Sequence, residues 1–388
     1  MATIQETEHV YKRLGVTRVI NASGYKTPSG GSLMPASVLQ AMAQAAEHYV
    51  DMKELQLKAG ERIAELTKNE AAYISNGASG ALQVAAAACM TRGDSREISN
   101  LPCVERNEIL IHRNHRNPYE LAVLGAGAKI VDFGFVNQTS RAQLESAISS
   151  RSAAVFYFIF RGGHKIREGC LSLEETVEIA HAHGLPVVVD AASQVPPVSS
   201  LWEFTQRGAD LAVFSGGKGL LGPQSSGLIL GRKEYVKACQ AVGPPNHTSL
   251  RPLKVQKESI AGVVAAVEFA LTRDENAQRD ECEKRVAYLL GNLADKNGRD
   301  VYRQATSDSG QPWPTLVVRF TGAYPAKQRD EAIRLLRNGE PAIMVRTHDL
   351  DGLAVDPITV LPDELVVLSK KLEEAISTVC CGGCGRKT

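Results

Sequence analysis

Apolar positions along the chain follow two alternating patterns. Helical spacing covers residues 34–66 and the alanine-rich stretch 79–90, whereas short apolar runs elsewhere predict buried strands. The predicted strands are 108–112, 129–133, 153–160, 186–190, 211–214 and 227–231. The predicted helices between them are 118–124, 141–148 and 172–183. Such alternation is typical of an α/β fold with a mainly parallel sheet.

Some runs in the predicted strands are apolar on both faces. Val187, Val188 and Val189 are consecutive, and a strand with one face in water would instead alternate apolar and polar residues. We therefore expect these strands to be central and parallel.

The pattern changes near residue 245. A glycine and proline turn at 243–246 precedes a helical pattern at about 257–293, and prolines separate shorter elements beyond it. We predict a large sheet domain at 45–245. A linker helix and a smaller α+β domain follow at 246–375, joined by an N-terminal segment at 1–44. A cysteine-rich tail covers 376–388.

Composition narrows the class of protein. Lysine and arginine number 44 and aspartate and glutamate 43, so the net charge of +1 gives no reason to expect a nucleic-acid or membrane-surface partner. The longest apolar run, 153–160, is far shorter than the roughly 20 residues of a membrane-spanning helix. No basic segment followed by an apolar one opens the chain, and we expect a cytoplasmic protein with reduced thiols.

Lys218 stands among glycines directly after a predicted buried strand. Glycines allow tight turns and close approach to a ligand, and a desolvated lysine is a nucleophilic amine. A phosphate-binding P-loop does not fit, because that motif needs glycine where Ala212 stands and serine or threonine where Gly219 stands. An ordinary surface lysine in a glycine-rich turn is the alternative.

Asp190 ends another predicted buried strand. Ligand crevices in open α/β sheets lie at the carboxyl ends of strands, where a carboxylate can pair with a protonated ring nitrogen. The two residues are 218 − 190 = 28 positions apart, about one strand–helix–strand unit, so we expect them to face one crevice. A helix N-cap is the other reading of Asp190.

A third element opens the alanine-rich helix. Gly77, Ala78 and Ser79 follow a short apolar run, and backbone N–H groups at the start of a helix suit a phosphate. An ordinary helix start is the alternative. A phosphate cradle, a strand-end aspartate and a glycine-flanked lysine, in that chain order, describe a pyridoxal-phosphate site of the aspartate-aminotransferase type, called fold type I.

Several stretches resemble the family of the bacterial L-seryl-tRNA selenium transferase and its relatives among D-glucosaminate-6-phosphate ammonia-lyases. The stretches are 20–24 (INASG), 209–218 (ADLAVFSGGK), 222–227 (GPQSSG) and 251–258 (RPLKVQKE). The resemblance runs from about residue 15 to 375. It implies that Lys218 forms the Schiff base with pyridoxal 5'-phosphate and that Asp190 pairs with its pyridine nitrogen.

The resemblance also implies the remaining cofactor contacts. Gly77, Ala78, Ser79 and Ser215 would hold the phosphate. In this fold class the turn after residue 112 supplies a ring stacked on the cofactor; His115 is the choice there and His112 the rival. Gln194 lies near enough in sequence to Asp190 to touch the phenolic oxygen, or else is a helix-surface glutamine.

An amino-acid substrate brings a carboxylate, which arginine binds in a bidentate way. The resemblance of the fold makes Arg346 the first candidate and Arg319 the second, and either fits an ordinary strand surface as well. Arg251 is a third candidate for substrate binding, although with Lys254 and Lys257 it could instead face a phosphate or a neighbouring subunit. The selenium transferase acts on a charged tRNA, but this sequence shows neither basic excess nor an added nucleic-acid domain, so we expect no nucleic-acid partner.

These features predict a lyase that depends on pyridoxal phosphate and acts on a small amino acid or amino sugar acid. Deprotonation at Cα by Lys218, β-elimination and ammonia release would follow one another. The alternatives are a racemase, cyclase or transferase that uses the same carbanion, or a binding protein that keeps the fold without catalysis. The resemblance implies a homodimer or higher homo-oligomer. We expect no metal, since Cys381 and Cys384 make only half of a zinc site, and interpret the tail as oxidation-prone. A thiol relay or a metal clip between subunits are the alternatives for this tail.

Overall fold

The computed structural model describes residues 9–159, 169–293 and 298–381. Its helices are α1 (Val10–Arg13), α2 (Ala36–Ala46), α3 (Met52–Leu66), α4 (Gly77–Thr91), α5 (Ser95–Asn100), α6 (Glu120–Leu124), α7 (Arg141–Ala147), α8 (Leu173–Ala182), α9 (Ser200–Gln206), α10 (Lys233–Val242), α11 (Lys257–Thr272), α12 (Glu275–Leu293), α13 (Pro325–Arg337) and α14 (Leu365–Cys381).

The strands follow the same chain order. They are β1 (Val19–Asn21), β2 (Ala71–Ser75), β3 (Glu108–His112), β4 (Lys129–Phe133), β5 (Ser152–Phe158), β6 (Val187–Asp190), β7 (Leu211–Ser215), β8 (Gly227–Gly231), β9 (Arg299–Gln304), β10 (Thr315–Phe320), β11 (Ala342–Met344), β12 (Arg346–His348) and β13 (Gly352–Val355).

The chain divides into two compact units. The sheet unit comprises residues 30–273 and 308–311, and the small unit comprises 1–29, 274–307 and 312–388. These limits differ from the predicted domain limits at 44/45 and 245/246, because α2 and α11 pack against each other and α11 also packs on α3. Both helices thereby join the core of the sheet unit.

Within the described residues, the sheet unit holds a seven-stranded sheet in the order β2-β8-β7-β6-β5-β3-β4. Strand β8 runs antiparallel to both of its neighbours, while the pairs from β7 to β4 are parallel. The prediction of parallel strands was therefore wrong for β8 and is confirmed for β3 to β7. Since β2 is antiparallel to β8, its carboxyl end meets those of β6 and β7 at one edge.

Apolar side chains cover both faces of this sheet. One face packs against α3, α8, α9 and α11 through residues such as Ile63 and Phe204. The other packs against α4, α6 and α10 through residues such as Ala85 and Val236. Val189 belongs to the first core and Val188 to the second, which is why β6 is a continuous apolar run.

Two predicted long helical stretches are each broken. Residues 34–66 form α2 and α3, with Asp51 capping α3 by accepting the N–H groups of Lys53 and Glu54 at 2.7 and 3.1 Å. Residues 257–293 form α11 and α12, where Asp274 accepts the N–H of Ala277 at 3.0 Å. Apolar periodicity continues through both breaks. The capping aspartates are therefore the local signal that a new helix begins at each break.

The small unit has its own core. In its described part, an antiparallel sheet runs in the order β12-β13-β10-β9, and β1 pairs in parallel with β11. Helices α12, α13 and α14 pack on these strands through Val286, Leu336 and Leu372. No described helix in either unit is both long and apolar enough to cross a membrane.

Candidate active site at the sheet edge

Lys218 stands in a turn that only glycines allow. The turn follows β7, and a Cβ added to Gly219 would lie 1.9 Å from the carbonyl oxygen of Val195. A Cβ on Gly217 would lie 2.4 Å from Cα of Gln224. The N–H of Leu221 donates to the carbonyl of Lys218 at 2.9 Å. The backbone of Lys218 is thus fixed at the carboxyl edge of the sheet.

Asp190 ends the neighbouring strand β6 and is 9% exposed. Its backbone pairs with Val213 of β7, and its carboxylate accepts the N–H of Ala192 at 3.0 Å. Burial raises the pKa of Asp190, while that hydrogen bond and the charge of Lys218 oppose the rise. Burial likewise lowers the pKa of Lys218, and the charge of Asp190 opposes the fall. The two side chains therefore act on each other electrostatically at neighbouring strand ends.

The start of α4 lies at the same edge. Ser75 of β2 and Ser215 of β7 both stand opposite Gly227 of β8. The N-cap of α4 is Asn76, whose side chain caps no N–H of the first turn, and that turn contains no acidic residue. Its N–H groups therefore offer an anion site, which the positive end of the helix dipole reinforces.

Gly227 allows this approach of helix and sheet. A Cβ there would lie 2.4 Å from the carbonyl carbon of Gly77 and 2.8 Å from the nitrogen of Ala78. The sequence analysis quoted Gly227 within a motif but assigned it no role. Ser79 is exposed and Ser215 half-buried, so both hydroxyls are accessible to a ligand.

His112 and His115 lie in one ring cluster at the end of β3. Their ring centroids are 4.5 Å apart, and His115 also packs edge-on against Tyr157 at 4.5 Å. His112 is fully buried, and burial lowers its pKa well below the ordinary range. Thr176 donates its hydroxyl to the carbonyl of Ser172 at 2.7 Å, so it accepts the Nε2–H of His112 at 3.2 Å. His115 is half-buried and is the histidine of the pair with an accessible surface.

Gln194 is 3% exposed, and its side-chain amide donates to the carbonyl of Ser309 at 3.2 Å. It is therefore a buried residue of the sheet unit and not a helix-surface glutamine. Its predicted contact with a cofactor stays a prediction.

The predicted arginines lie in different parts of the chain. Arg346, in the small unit, is 4% exposed, and burial lowers its pKa while the charge of the buried Asp356 opposes this. Arg319 of the same unit pairs with Asp351 at 3.3 Å. Arg251 lies in the sheet unit and is half-buried. Substrate binding by these three residues stays a prediction.

Tyr119 is a residue of this site that was not predicted from the sequence. Lys218 Nζ lies over its ring, 5.9 Å from the centroid. No motif marks this tyrosine, since it precedes α6 in a polar turn. It lies close to Lys218 only because the fold brings the two residues together.

The residues at this edge fit pyridoxal phosphate. An anion site stands at the start of α4, a carboxylate that can pair with a ring nitrogen ends β6, and a desolvated amine that can attack an aldehyde follows β7. In the part of the chain that the structure describes, no group of three or more histidine, cysteine or acidic side chains could hold a metal ion. Cys384 lies outside the described residues.

Comparisons with known proteins agree with this geometry. A model of the family described as L-seryl-tRNA selenium transferase matches residues 19–290. The chain is 33% identical to 5'-C-glycyluridine monooxygenase-decarboxylase from a Streptomyces species, covering 94% of this chain and 92% of that protein. It is 32% identical to D-glucosaminate-6-phosphate ammonia lyase from Salmonella typhimurium, covering 95% and 98%.

A solved structure of D-glucosaminate-6-phosphate ammonia-lyase superposes with a TM-score of 0.80 at 30% identity, covering 96% of this chain and 99% of that one. The structural neighbours of the present chain are fold type I enzymes that depend on pyridoxal phosphate. The chain is accordingly an enzyme of the fold type I class, as the sequence predicted. Within that class it belongs to the L-seryl-tRNA selenium transferase family.

Proposed function

We propose that this protein binds pyridoxal 5'-phosphate at Lys218 and uses it as a lyase on an amino sugar acid. The observation that carries the proposal is the pair of half-buried Lys218 and buried Asp190 at neighbouring strand ends, where each favours the charged form of the other. A binding protein without catalysis would have no need to keep an amine and a carboxyl group desolvated at neighbouring strand ends.

Each residue has a distinct task in this proposal. Lys218 attaches the cofactor and, once released, takes the proton from Cα of the substrate. Asp190 keeps the ring nitrogen protonated through its negative charge. When bound, pyridoxal phosphate supplies a ring that withdraws electrons from Cα.

The phosphate and ring contacts follow from the same edge. The N–H groups of Gly77, Ala78 and Ser79 and the hydroxyl of Ser215 hold the phosphate. We assign the ring contact to His115, because His112 is fully buried and its Nε2–H is used by Thr176.

The substrate class is proposed from the relatives. A relative 32% identical over nearly the whole chain is an ammonia lyase of D-glucosaminate-6-phosphate. Removal of the Cα proton, departure of the β-hydroxyl as water and hydrolysis of the resulting enamine would release ammonia. A racemase would yield the opposite configuration at Cα and no ammonia, so the products separate the two readings.

Two measurements test the proposal. Wild-type protein loaded with pyridoxal phosphate should show the visible band of the bound cofactor, and borohydride should fix the cofactor to the peptide containing Lys218. The loaded protein should then release ammonia from D-glucosaminate-6-phosphate, with Lys218→Ala at least about 100-fold slower. The exposed Lys129 provides the control variant Lys129→Ala, which should match wild type. Absence of the band, or a Lys218→Ala variant as active as wild type, would overturn the proposal.

We also propose that the protein acts in the cytoplasm as a homodimer. Both statements derive from the sequence pattern and the resemblance to fold type I enzymes. Sedimentation of the loaded protein as an active monomer would contradict the second.

A further inference from the structure

Tyr119 places an aromatic ring beside the amine of Lys218. Tyr119 is 58% exposed, although the centroid of its ring is only 5.9 Å from Nζ of the desolvated Lys218. A large exposed ring beside a half-buried amine contributes little to the core. Its position therefore calls for another explanation.

The backbone around Tyr119 is tied down on both sides. Its N–H donates to Oδ1 of Asn117 at 2.8 Å, and Nδ2 of Asn117 donates to the carbonyl of His115 at 2.8 Å. Arg116 donates to both carboxylate oxygens of Glu120 at 2.6 and 2.7 Å. These bonds fix one short segment that carries both His115 and Tyr119.

We propose that Tyr119 is a positioning residue of this site, whose ring face stabilises the protonated amine of Lys218. An ammonium within about 6 Å of a ring centroid is attracted by the electron-rich face, whereas a neutral amine is not. The ring would thus favour the state in which Lys218 has just taken a proton from the substrate. This step rests on the proposed function of Lys218.

Asp190 acts on Lys218 in the same direction. Among the described residues, it is the charged group that raises the pKa of Lys218, from the end of β6, against the lowering caused by burial. Tyr119 approaches the amine from the segment before α6. Removing the ring should therefore leave Asp190 alone against burial, and the neutral amine should become more populated.

The test uses protein free of cofactor, so its result does not depend on whether pyridoxal phosphate binds. Lys218 is labelled with acetic anhydride in competition with the exposed Lys370, across a range of pH, and both peptides are read by mass spectrometry. Only the neutral amine reacts. The variants are Tyr119→Leu, Tyr119→Phe and, as a control on another exposed tyrosine, Tyr49→Leu.

We expect Tyr119→Leu to label Lys218 about two- to fivefold faster near neutral pH and at the wild-type rate at strongly alkaline pH. Tyr119→Phe and Tyr49→Leu should follow wild type throughout. Faster labelling of Tyr119→Leu at every pH would mean that the ring only shields the amine, and would overturn the proposal. Equal changes in the Phe and Leu variants would also overturn it, because the hydroxyl would then be the active group.

Discussion

At the scale of single residues, Asp190 and Lys218 each favour the charged form of the other against the effect of burial. Burial raises the pKa of Asp190 and lowers that of Lys218, and each opposes the shift of the other. A raised carboxyl pKa favours the folded state at low pH, and this contribution is lost as pH rises through the folded pKa. The lowered amine pKa acts in reverse, since its contribution is lost as pH falls through the folded pKa.

Replacing Lys218 with methionine should therefore destabilise the cofactor-free protein in a pH-dependent way. The remaining buried carboxylate lacks a counter-charge, and we expect the free energy of unfolding to fall by about 1 to 3 kcal/mol near pH 8. Near pH 4 the carboxyl binds a proton and most of that loss should disappear. Urea unfolding at both pH values measures it, with Asp190→Asn/Lys218→Met as the control that recovers stability at pH 8. An equal loss at both pH values would show that Asp190 is not the group involved.

At the scale of elements, the approach of α4 to the sheet depends on Gly227. A Cβ there would lie 2.4 Å from the carbonyl carbon of Gly77, so Gly227→Ala must displace the first turn of the helix. We expect a loss of about 1 to 3 kcal/mol in stability and at least about tenfold in cofactor affinity. Gly291→Ala is the matched control, because nothing lies within 4 Å of its Cβ and the helix gains from alanine. If Gly227→Ala leaves the affinity for the cofactor unchanged, the phosphate does not bind at the start of α4.

The segment that carries His115 and Tyr119 depends on Asp132 of β4. Its carboxylate accepts Arg113 at 3.0 Å and Arg116 at 3.2 Å, on either side of His115. Those arginines lower the pKa of Asp132. Its two ion pairs are therefore present at pH values above the ordinary pKa of aspartate, and they are lost as pH falls through the lowered pKa.

Asp132→Asn should loosen that segment without unfolding the protein. Half-exposed ion pairs contribute about 0.2 to 1 kcal/mol each, and we expect cofactor affinity to fall about two- to fivefold with little change in stability. Equilibrium titration with pyridoxal phosphate measures the effect. Glu268→Gln, which removes an exposed ion pair with Arg62 at 3.0 Å, should leave affinity unchanged. If both variants bind equally well, Asp132 has no part in holding the site.

The sequence predicted the secondary-structure elements better than the contacts between those elements. Apolar runs located β3, β4 and β8 at their exact ends, and glycines marked the turn of Lys218, because these signals are local. The direction of β8 and the nearness of Tyr119 to Lys218 depend on contacts between distant residues. Periodicity carries no information on such contacts, so neither could be predicted from the chain alone.

At the scale of the whole molecule, the break between α11 and α12 separates the two compact units. Arg273 leaves the helix with extended backbone, and Asp274 begins the next one. One unit holds Lys218, Asp190 and α4, while Arg346 belongs to the other. The unit with the proposed cofactor contacts can thus be tested separately in single variants without altering the core around Arg346.

Arg251 and Lys254 are the residues through which two copies of the chain could share a site. The segment lies beside α4 of its own chain, since Nδ2 of Asn76 donates to the carbonyl of Lys254 at 3.4 Å. That contact uses only the backbone carbonyl of Lys254 and leaves its side chain unengaged. Within the described residues neither side chain forms an ion pair or hydrogen bond, whereas Lys257 pairs with Glu258 at 2.8 Å. Two cations without an anionic partner fit a phosphate in a second copy of the chain.

We predict that Arg251→Ala/Lys254→Ala weakens cofactor binding about tenfold, because two charge-assisted contacts to a phosphate are lost. Mixed dimers with Lys218→Ala chains should recover one site, built from the Lys218 of one chain and the cations of the other. Activity of purified mixed dimers, produced with two different tags, measures this recovery against each parent homodimer. Recovery to about half of the wild-type activity is expected. The assay is run at a cofactor concentration that leaves the Arg251→Ala/Lys254→Ala homodimer mostly unloaded. If mixed dimers are then no more active than their parents while wild type is dimeric, the cations serve their own chain and the shared site is excluded.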